Sequence, residues 1–438
     1  MSLWQFLVPF TLGARLVLVP CAAQTGFSTL YSFTGQNGDG GEPVGTLAIG
    51  KNGEVYGTTA TGGSGVCNNG LFLLGCGTVF VLNSPATSGG AWTESVLYRF
   101  TGANGDGWSP YGSVVIDSRG RLYGTTLYGG TGCDTWGCGT VFELAPPSAP
   151  GGIWTETVVY SFTGQNGDGS GPAGTLALGK NGELYGLTTA GGSSNNGTVY
   201  RLAPPAAAGE PWTESILYSF ALPSFSAPQG YPADIGLIVG DRGELYGATP
   251  LGGRLEYGVV FGLLPPKAPD DTWTKIDLFT FPANSLGGVS PSGGVVAGKT
   301  GKLYGSTVFG GRGDCPEGCG IVFELTPPAA AGESWHETVI CDFGDCLSQS
   351  GNPQTNMVLG KNGVLYGTAL TALFALRPPL APGGTWQGFI LQEFNGGSAV
   401  GQPSGLAISD DGVLFGTTLN GGLCNYCGTV YRWAPPEE

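Results

Sequence analysis

One tripeptide, repeated seven times, limits what this chain can fold into. It reads Val55-Tyr56-Gly57, Leu122-Tyr123-Gly124, Leu184-Tyr185-Gly186, Leu245-Tyr246-Gly247, Leu303-Tyr304-Gly305, Leu365-Tyr366-Gly367 and Leu414-Phe415-Gly416, with its aromatic residues 49 to 67 positions apart. Each copy has the same surroundings. A proline stands 12 to 14 residues upstream (Pro43, Pro110, Pro172, Pro232, Pro291, Pro353, Pro403), followed by an apolar run and a tight turn such as Lys51-Asn52-Gly53 or Asp241-Arg242-Gly243. The turn glycines supply the positive φ that two-residue hairpins require. Self-similarity at this period means one supersecondary unit stacked on copies of itself.

Downstream of each tripeptide comes a β-rich stretch such as Gly77-Thr78-Val79-Phe80 or Gly428-Thr429-Val430-Tyr431, then a Pro-rich connector. A strand headed by Trp92, Trp154, Trp212, Trp273, Trp335 or Trp386 follows. In Trp154–Phe162 the residues alternate with period two, as a half-buried strand does. Each repeat is therefore four short strands, A to D, which is the arithmetic of a propeller blade. Strands A, B and C occur seven times, but the Trp-headed D strand occurs six times. The missing copy is N-terminal, where Phe27–Gly35 matches Leu97–Gly102 and Val159–Gly164. The expected fold is all-β: a seven-bladed β-propeller of four-stranded antiparallel blades, closed by the N-terminal strand completing the last blade. Such closure removes the open edges that invite aggregation.

The motifs Leu-Tyr-Gly-Thr-Thr, Gly-Gly, Gly-Thr-Val-Phe and Tyr-Ser-Phe-Thr-Gly-x-Asn-Gly-Asp-Gly resemble the GloVer tandem repeat of secreted bacterial proteins, over nearly the whole chain from Phe27 to Pro436. Members of that family often carry varied C-terminal surface anchors, whereas this sequence ends Trp433-Ala434-Pro435-Pro436-Glu437-Glu438 without an apolar tail. The resemblance implies export and a repeat architecture, and no established activity.

Composition agrees with a turn-rich, exported chain. Gly supplies 82 of 438 residues and only 11% are charged, against about 7% and about 25% in an ordinary domain. The net charge of −15, with 17 scattered Lys and Arg, excludes a phosphate-neutralising stripe and hence nucleic acid. The apolar start MSLWQFLVPFTLGARLVLVPCAAQ resembles a secretory signal peptide over 1–23, leaving 24–438 as a single propeller domain. The mature chain is expected to be monomeric and secreted or cell-surface (extracellular or periplasmic), without a membrane span.

D–A and B–C loops emerge on one face, here called the loop face, and A–B and C–D turns on the other, whose short hairpins and Pro-rich connectors offer a ligand little. On the loop face Asp39, Asp106 and Asp168 recur in Asn-Gly-Asp-Gly loops. They suit either capture of a sugar or cation, or turn formation with the carboxylate bonding its own backbone. The oxygen ligands a calcium loop needs at alternate positions are missing. Trp108, Tyr111, Tyr128 and Trp136 fall on the same loops and can stack on sugar rings or pack together. Ten cysteines fall into five local pairs, Cys67/Cys76, Cys133/Cys138, Cys315/Cys319, Cys341/Cys346 and Cys424/Cys427, read as disulfides of an oxidising compartment, with pairing between adjacent loops left open by the sequence. The rival reading of Cys424/Cys427, zinc or redox chemistry, lacks a second ligand pair and a thioredoxin-like setting.

Catalytic motifs are scarce. The sole histidine, His336, directly follows a strand-heading Trp, so a nucleophile–histidine site is poorly served. The leading expectation is a propeller that binds an extracellular ligand, a glycan or cell-surface partner, on the loop face, with no cofactor and no metal. The alternatives are a carbohydrate-active hydrolase using the acidic loop residues, a lyase using Tyr with Arg254 or Arg312, and a structural or adhesive protein without catalytic activity.

Overall fold

The computed structural model describes residues 26–67, 75–87, 89–133, 136–149, 151–207, 209–221, 236–253, 257–268, 271–282, 287–312, 315, 317–330, 332–347, 351–353, 357–381, 383–394, 401–424 and 427–435. The leader segment, Pro232 and Arg254 fall outside them.

Each repeat folds as a four-stranded antiparallel sheet, and seven such blades form the ring. Blade 1 is typical, with strands Gly40–Ile49 (A), Val55–Gly62 (B), Thr78–Asn83 (C) and Thr93–Arg99 (D). The order repeats to blade 6, whose D strand is Gln387–Glu393. Blade 7 takes Pro403–Ile408, Leu414–Thr418 and Thr429–Trp433 from the end of the chain and Phe27–Ser32 from its beginning. Phe27 lies opposite Trp433 and Ser32 opposite Thr429, so the ring closes as the repeat count requires. Blade 2 departs from the pattern. Its A strand is split into Gly107–Trp108, which pairs with Tyr128–Gly129, and Val115–Ile116, which pairs with Tyr123 and Leu122. One helical turn, Phe343–Cys346, lies in the chain after the D strand of blade 5.

The A strands surround the axis and touch across blades. Ser113 Oγ accepts from Thr46 N (2.6 Å), Thr46 Oγ1 (2.7 Å) and Thr175 Oγ1 (3.0 Å), tying blades 1, 2 and 3 together. The tripeptide glycine is explained here. A Cβ on Gly57 would stand 2.5 Å from Phe80 Cζ, and one on Gly124 2.5 Å from Phe142 Cζ. The tip of the C-strand ring occupies this position, so no side chain fits.

The core is a series of seams between blades rather than one central mass. The Phe ending each D strand meets the C-strand aromatic of the next blade: Phe33–Phe80 at 5.0 Å, Phe100–Phe142 at 5.1 Å, Phe162–Tyr200 at 4.9 Å, Phe281–Phe323 at 5.3 Å. These four D-strand Phe rings are fully buried; each such ring contributes about 2–3 kcal/mol by burial, and edge-to-face contact adds about 1 kcal/mol. The Trp heading each D strand lies at the other end of the same seam, edge-on to the tripeptide tyrosine of the preceding blade, as in Trp154–Tyr56 (6.1 Å) and Trp212–Tyr123 (5.8 Å). These tryptophans serve the fold.

Candidate functional site: the disulfide-tied loop face

In blades 1, 2, 3, 5 and 6 the A strand enters from the loop face through a Pro-containing kink, and the residue before that Pro takes the left-handed region. Glu42 (φ 53°), Ser109 (55°), Ser290 (59°) and Asn352 (61°) all adopt it although none is Gly, a conformation that costs a non-glycine residue about 1–3 kcal/mol. In these five blades the kink latches the blade to the one before, whereas in blade 7 Gln402 N donates to Asn420 Oδ1 of its own blade at 2.7 Å. The backbone N–H donors and their acceptors are Glu42 to Cys427 O (3.1 Å), Ser109 to Cys76 O (2.9 Å), Gly171 to Cys138 O (2.8 Å), Ser290 to Tyr257 O (2.9 Å) and Asn352 to Cys319 O (2.7 Å). Four of these five acceptors belong to disulfide-bonded cysteines: Cys67–Cys76, Cys133–Cys138, Cys315–Cys319 and Cys424–Cys427. The fifth disulfide, Cys341–Cys346, staples the end of a D strand to its helical turn.

The repeated aspartates are bound into their own loops. Asp39 Oδ2 accepts from Thr34 N and Thr34 Oγ1, both at 2.7 Å, and from Tyr31 Oη at 3.3 Å, while Oδ1 accepts from Gly40 N at 2.7 Å. Asp168 accepts in the same way from Thr163 N and Oγ1 (2.7 Å each) and Gly169 N (2.6 Å). Asp106 accepts from Thr101 N and Oγ1 (2.7 Å each) and Tyr98 Oη (3.2 Å). Each sits in its own seam, beside a glutamate from the D strand of the next blade. Burial, and then the Asp charge, pushes the Glu94, Glu156 and Glu214 carboxyls up to about 7. Their Oε1 atoms are buried without a hydrogen-bond partner among the described residues, as is Glu337 Oε1. Sequence reasoning missed these glutamates; the recurring Trp-Thr-Glu of blades 1 to 3 was the available signal.

The aromatic residues do converge, all on blade 2. Trp108 and Tyr128 stack at 4.4 Å, and Tyr128 meets Trp136 edge-on at 6.2 Å. Trp108 is buried and Tyr128 half-buried, whereas Trp136 is 49% exposed. Trp136 lies between Cys133 and Cys138, so the disulfide spans the segment that carries it. Tyr111 is half-buried against the same group, its pKa raised by burial, then by Glu42, then by Tyr128. Other exposed apolar side chains crown this face from B–C loops: Val66 and Leu423, each directly preceding a disulfide cysteine, and Tyr257.

The opposite face holds more than its short turns imply. A groove of about 1060 Å³ lies between blades 2 and 3 and one of about 890 Å³ between blades 5 and 6, each walled by A–B turns and a Pro-rich connector. Among the charges that line them, Arg121 pairs with Asp117 (2.8 Å) and Glu143 (3.2 Å), and Lys302 with Glu324 (2.6 Å). Trp212 and Trp386 are turned edge-on to Tyr123 and Tyr304 as parts of their seams. His336 heads a D strand and so lies on this side, exposed. Arg312 is ion-paired with Asp345 at 3.8 Å.

Fold and site together define a seven-bladed repeat propeller whose loop face is tied by disulfides and carries the half-exposed Trp136 ring. The chain belongs to the family of the Gloeobacter/Verrucomicrobia repeat, whose model matches residues 137–372. No curated protein matches the sequence. Among solved structures it is similar to a gluconolactonase of Xanthomonas campestris, with 13% identity over 72% of this chain and 82% of that one and a TM-score of 0.37. PorZ, a surface component of the type-IX secretion system of Porphyromonas gingivalis, gives 14%, 88%, 46% and 0.47 in the same order. The Trypanosoma rangeli sialidase gives 14%, 93%, 60% and 0.40. No activity is carried over to this chain at such identities.

Proposed function

We propose that this is an exported, non-catalytic binding propeller that takes a carbohydrate on the loop face, with Trp136 as its stacking platform. The observation that carries the reading is the half-exposed Trp136 ring, braced by Tyr128 and Trp108 within a disulfide-spanned loop. A ring held this way loses little freedom when a sugar stacks on it, and such pre-organisation favours binding. Tyr128 packs edge-on to the platform, while Asp39, Asp106 and Asp168 shape the neighbouring loops. Export is supported by the five disulfides and by the apolar leader. Among the described residues no helix is long and apolar enough to cross a membrane.

The test is retention on a panel of immobilised polysaccharides, comparing the native protein with Trp136→Ala. Binding that weakens at least tenfold in the variant supports the reading. No retention on any glycan would return the protein to a structural or adhesive role. Released reducing ends or unsaturated products would replace the binding-only reading by a hydrolase or lyase.

A further inference from the structure

In a ring of repeats, a residue shared by the blades serves the ring, and one peculiar to a single blade needs another reason. Blade 2 is peculiar at both of its ends. Its loop-face end carries the aromatic group, and its A–B turn, on the opposite face, departs from the other turns as well. The first turn position is Gly50, Gly179, Gly240, Gly298, Gly360 or Ser409 elsewhere, and Asp117 here. The residue before the tripeptide is Glu54, Glu183, Glu244, Lys302, Val364 or Val413 elsewhere, and Arg121 here.

These two residues organise a strip of polar and aromatic groups. Asp117 Oδ1 accepts from the Arg119 and Arg121 amides (2.8 and 3.0 Å), and its Oδ2 accepts from Arg121 Nε (2.8 Å). Arg121 Nη1 donates to Glu143 Oε2 at 3.2 Å, and the guanidinium carbon lies 5.4 Å from the centre of the Tyr123 ring. Tyr123 in turn is edge-on to the half-buried Trp212 of blade 3 at 5.8 Å. All of these side chains line the groove of about 1060 Å³ between blades 2 and 3, together with the Pro-rich connector that carries Ala206. That is room enough for several sugar rings. The polar groups hold one another in place, and the planar fork of Arg121 keeps donors unused. The charges in the groove cancel: Arg119, Arg121 and Lys180 stand against Asp117, Glu143 and Glu210, in a chain of net charge −15. A neutral groove of fixed donors and acceptors beside an aromatic ring suits an uncharged ligand with hydroxyls on an apolar ring. A Pro-rich peptide, the other uncharged occupant of aromatic-walled grooves, has few N–H groups to give the carboxylates.

We infer that this groove is a second saccharide site, on the face away from Trp136, which takes a neutral glycan chain with its hydroxyls shared between Arg121 and Glu143 and a sugar ring against Trp212. The inference does not rest on the loop-face reading. Where both hold, one molecule engages a glycan at each end of its axis and ties two chains together.

The probes are neutral hexasaccharides of glucose, mannose, galactose and xylose, a glucuronate hexamer and a proline decamer, measured by equilibrium dialysis in the Trp136→Ala background so that the loop face is silent. The Trp136→Ala protein should retain a neutral hexasaccharide, with an affinity indifferent to salt. Adding Ala206→Trp, which places an indole in the groove from an exposed position on its wall, should abolish that retention. Adding Arg121→Lys, which keeps the charge and loses the planar fork, should weaken it about tenfold. Blade 5 already carries Lys302 at this place, paired with Glu324, so the fold accepts the change. No retention of any neutral hexasaccharide, retention that survives Ala206→Trp, or a stronger hold on the glucuronate hexamer or the proline decamer overturns the inference. If Ala206→Trp fails to fold, Arg121→Lys decides, and an unchanged affinity overturns the groove. The loop-face reading is judged separately, by the native protein against Trp136→Ala.

Discussion

Reducing the disulfides should free four blade latches and leave a fifth untouched. The latch amides of Glu42, Ser109, Gly171 and Asn352 donate to carbonyls of disulfide cysteines, whereas Ser290 donates to Tyr257, which has no disulfide. The four loops close over sequence separations of 9, 5, 4 and 3. For loops this short, cross-linking withholds about 2–3 kcal/mol of chain entropy from the opened state. If opening of each loop is what exposes its latch, the four amides should exchange about 30- to 150-fold faster after reduction. The assay is native-state hydrogen exchange before and after mild reduction and alkylation, with the Ser290 amide as internal control and far-UV circular dichroism to verify that the blades persist. Acceleration at Ser290 equal to that at the other four would mean global loosening, and no acceleration at the four would mean that the seams hold the latches unaided. Either result refutes the coupling.

Two further outcomes follow from the seams. The carboxyls of Glu94, Glu156, Glu214 and Glu337 are raised from 4.5 to about 7. Their contribution is fully present below about pH 4.5 and is lost as pH climbs through 7. Being only half-buried they are discounted to about 1 kcal/mol each, so the urea midpoint should fall between pH 5 and pH 8, and a Glu94→Gln, Glu156→Gln, Glu214→Gln triple variant should flatten the slope. Deleting Phe27–Phe33 should leave Thr429–Trp433 as an open edge and remove the fully buried Phe33; the truncated protein should aggregate on size-exclusion chromatography, and a monomer of unchanged stability would contradict the closure.

The fold was legible because its signals are local and repeated. Leu-Tyr-Gly marks the position under the C-strand ring, and the deficit of one Trp-headed strand, matched against Phe27–Phe33, betrays the closure. The disulfides were legible from their short spacing. The seams were not, since they join residues one repeat apart in sequence. Glu94 reads as the polar half of an alternating strand, and only the folded ring shows its carboxyl raised by burial and then by the Asp39 charge of the adjoining loop. Glu42 was silent for a different reason: nothing in Gly41-Glu42-Pro43 reveals a left-handed backbone, which the latch to blade 7 imposes. The aspartates show the limit of residue type. Each has the right chemistry for a ligand, yet Asp39 and Asp168 spend both oxygens on their own loops.

The pairing of Phe27–Ser32 with Thr429–Trp433 also sets the order in which the molecule comes into being. Phe27–Ser32 waits for a partner about 400 residues further along the chain, so this longest-range contact in the ring forms only after the other blades can. Until then six complete blades and a three-stranded seventh stand as an open arc with an exposed edge at each end, one seeking a D strand and the other a complete neighbour. Such an arc is the species most apt to pair with a second chain. For this protein the vulnerable moment lies just before closure, and whatever keeps copies apart during that interval sets the yield of folded rings.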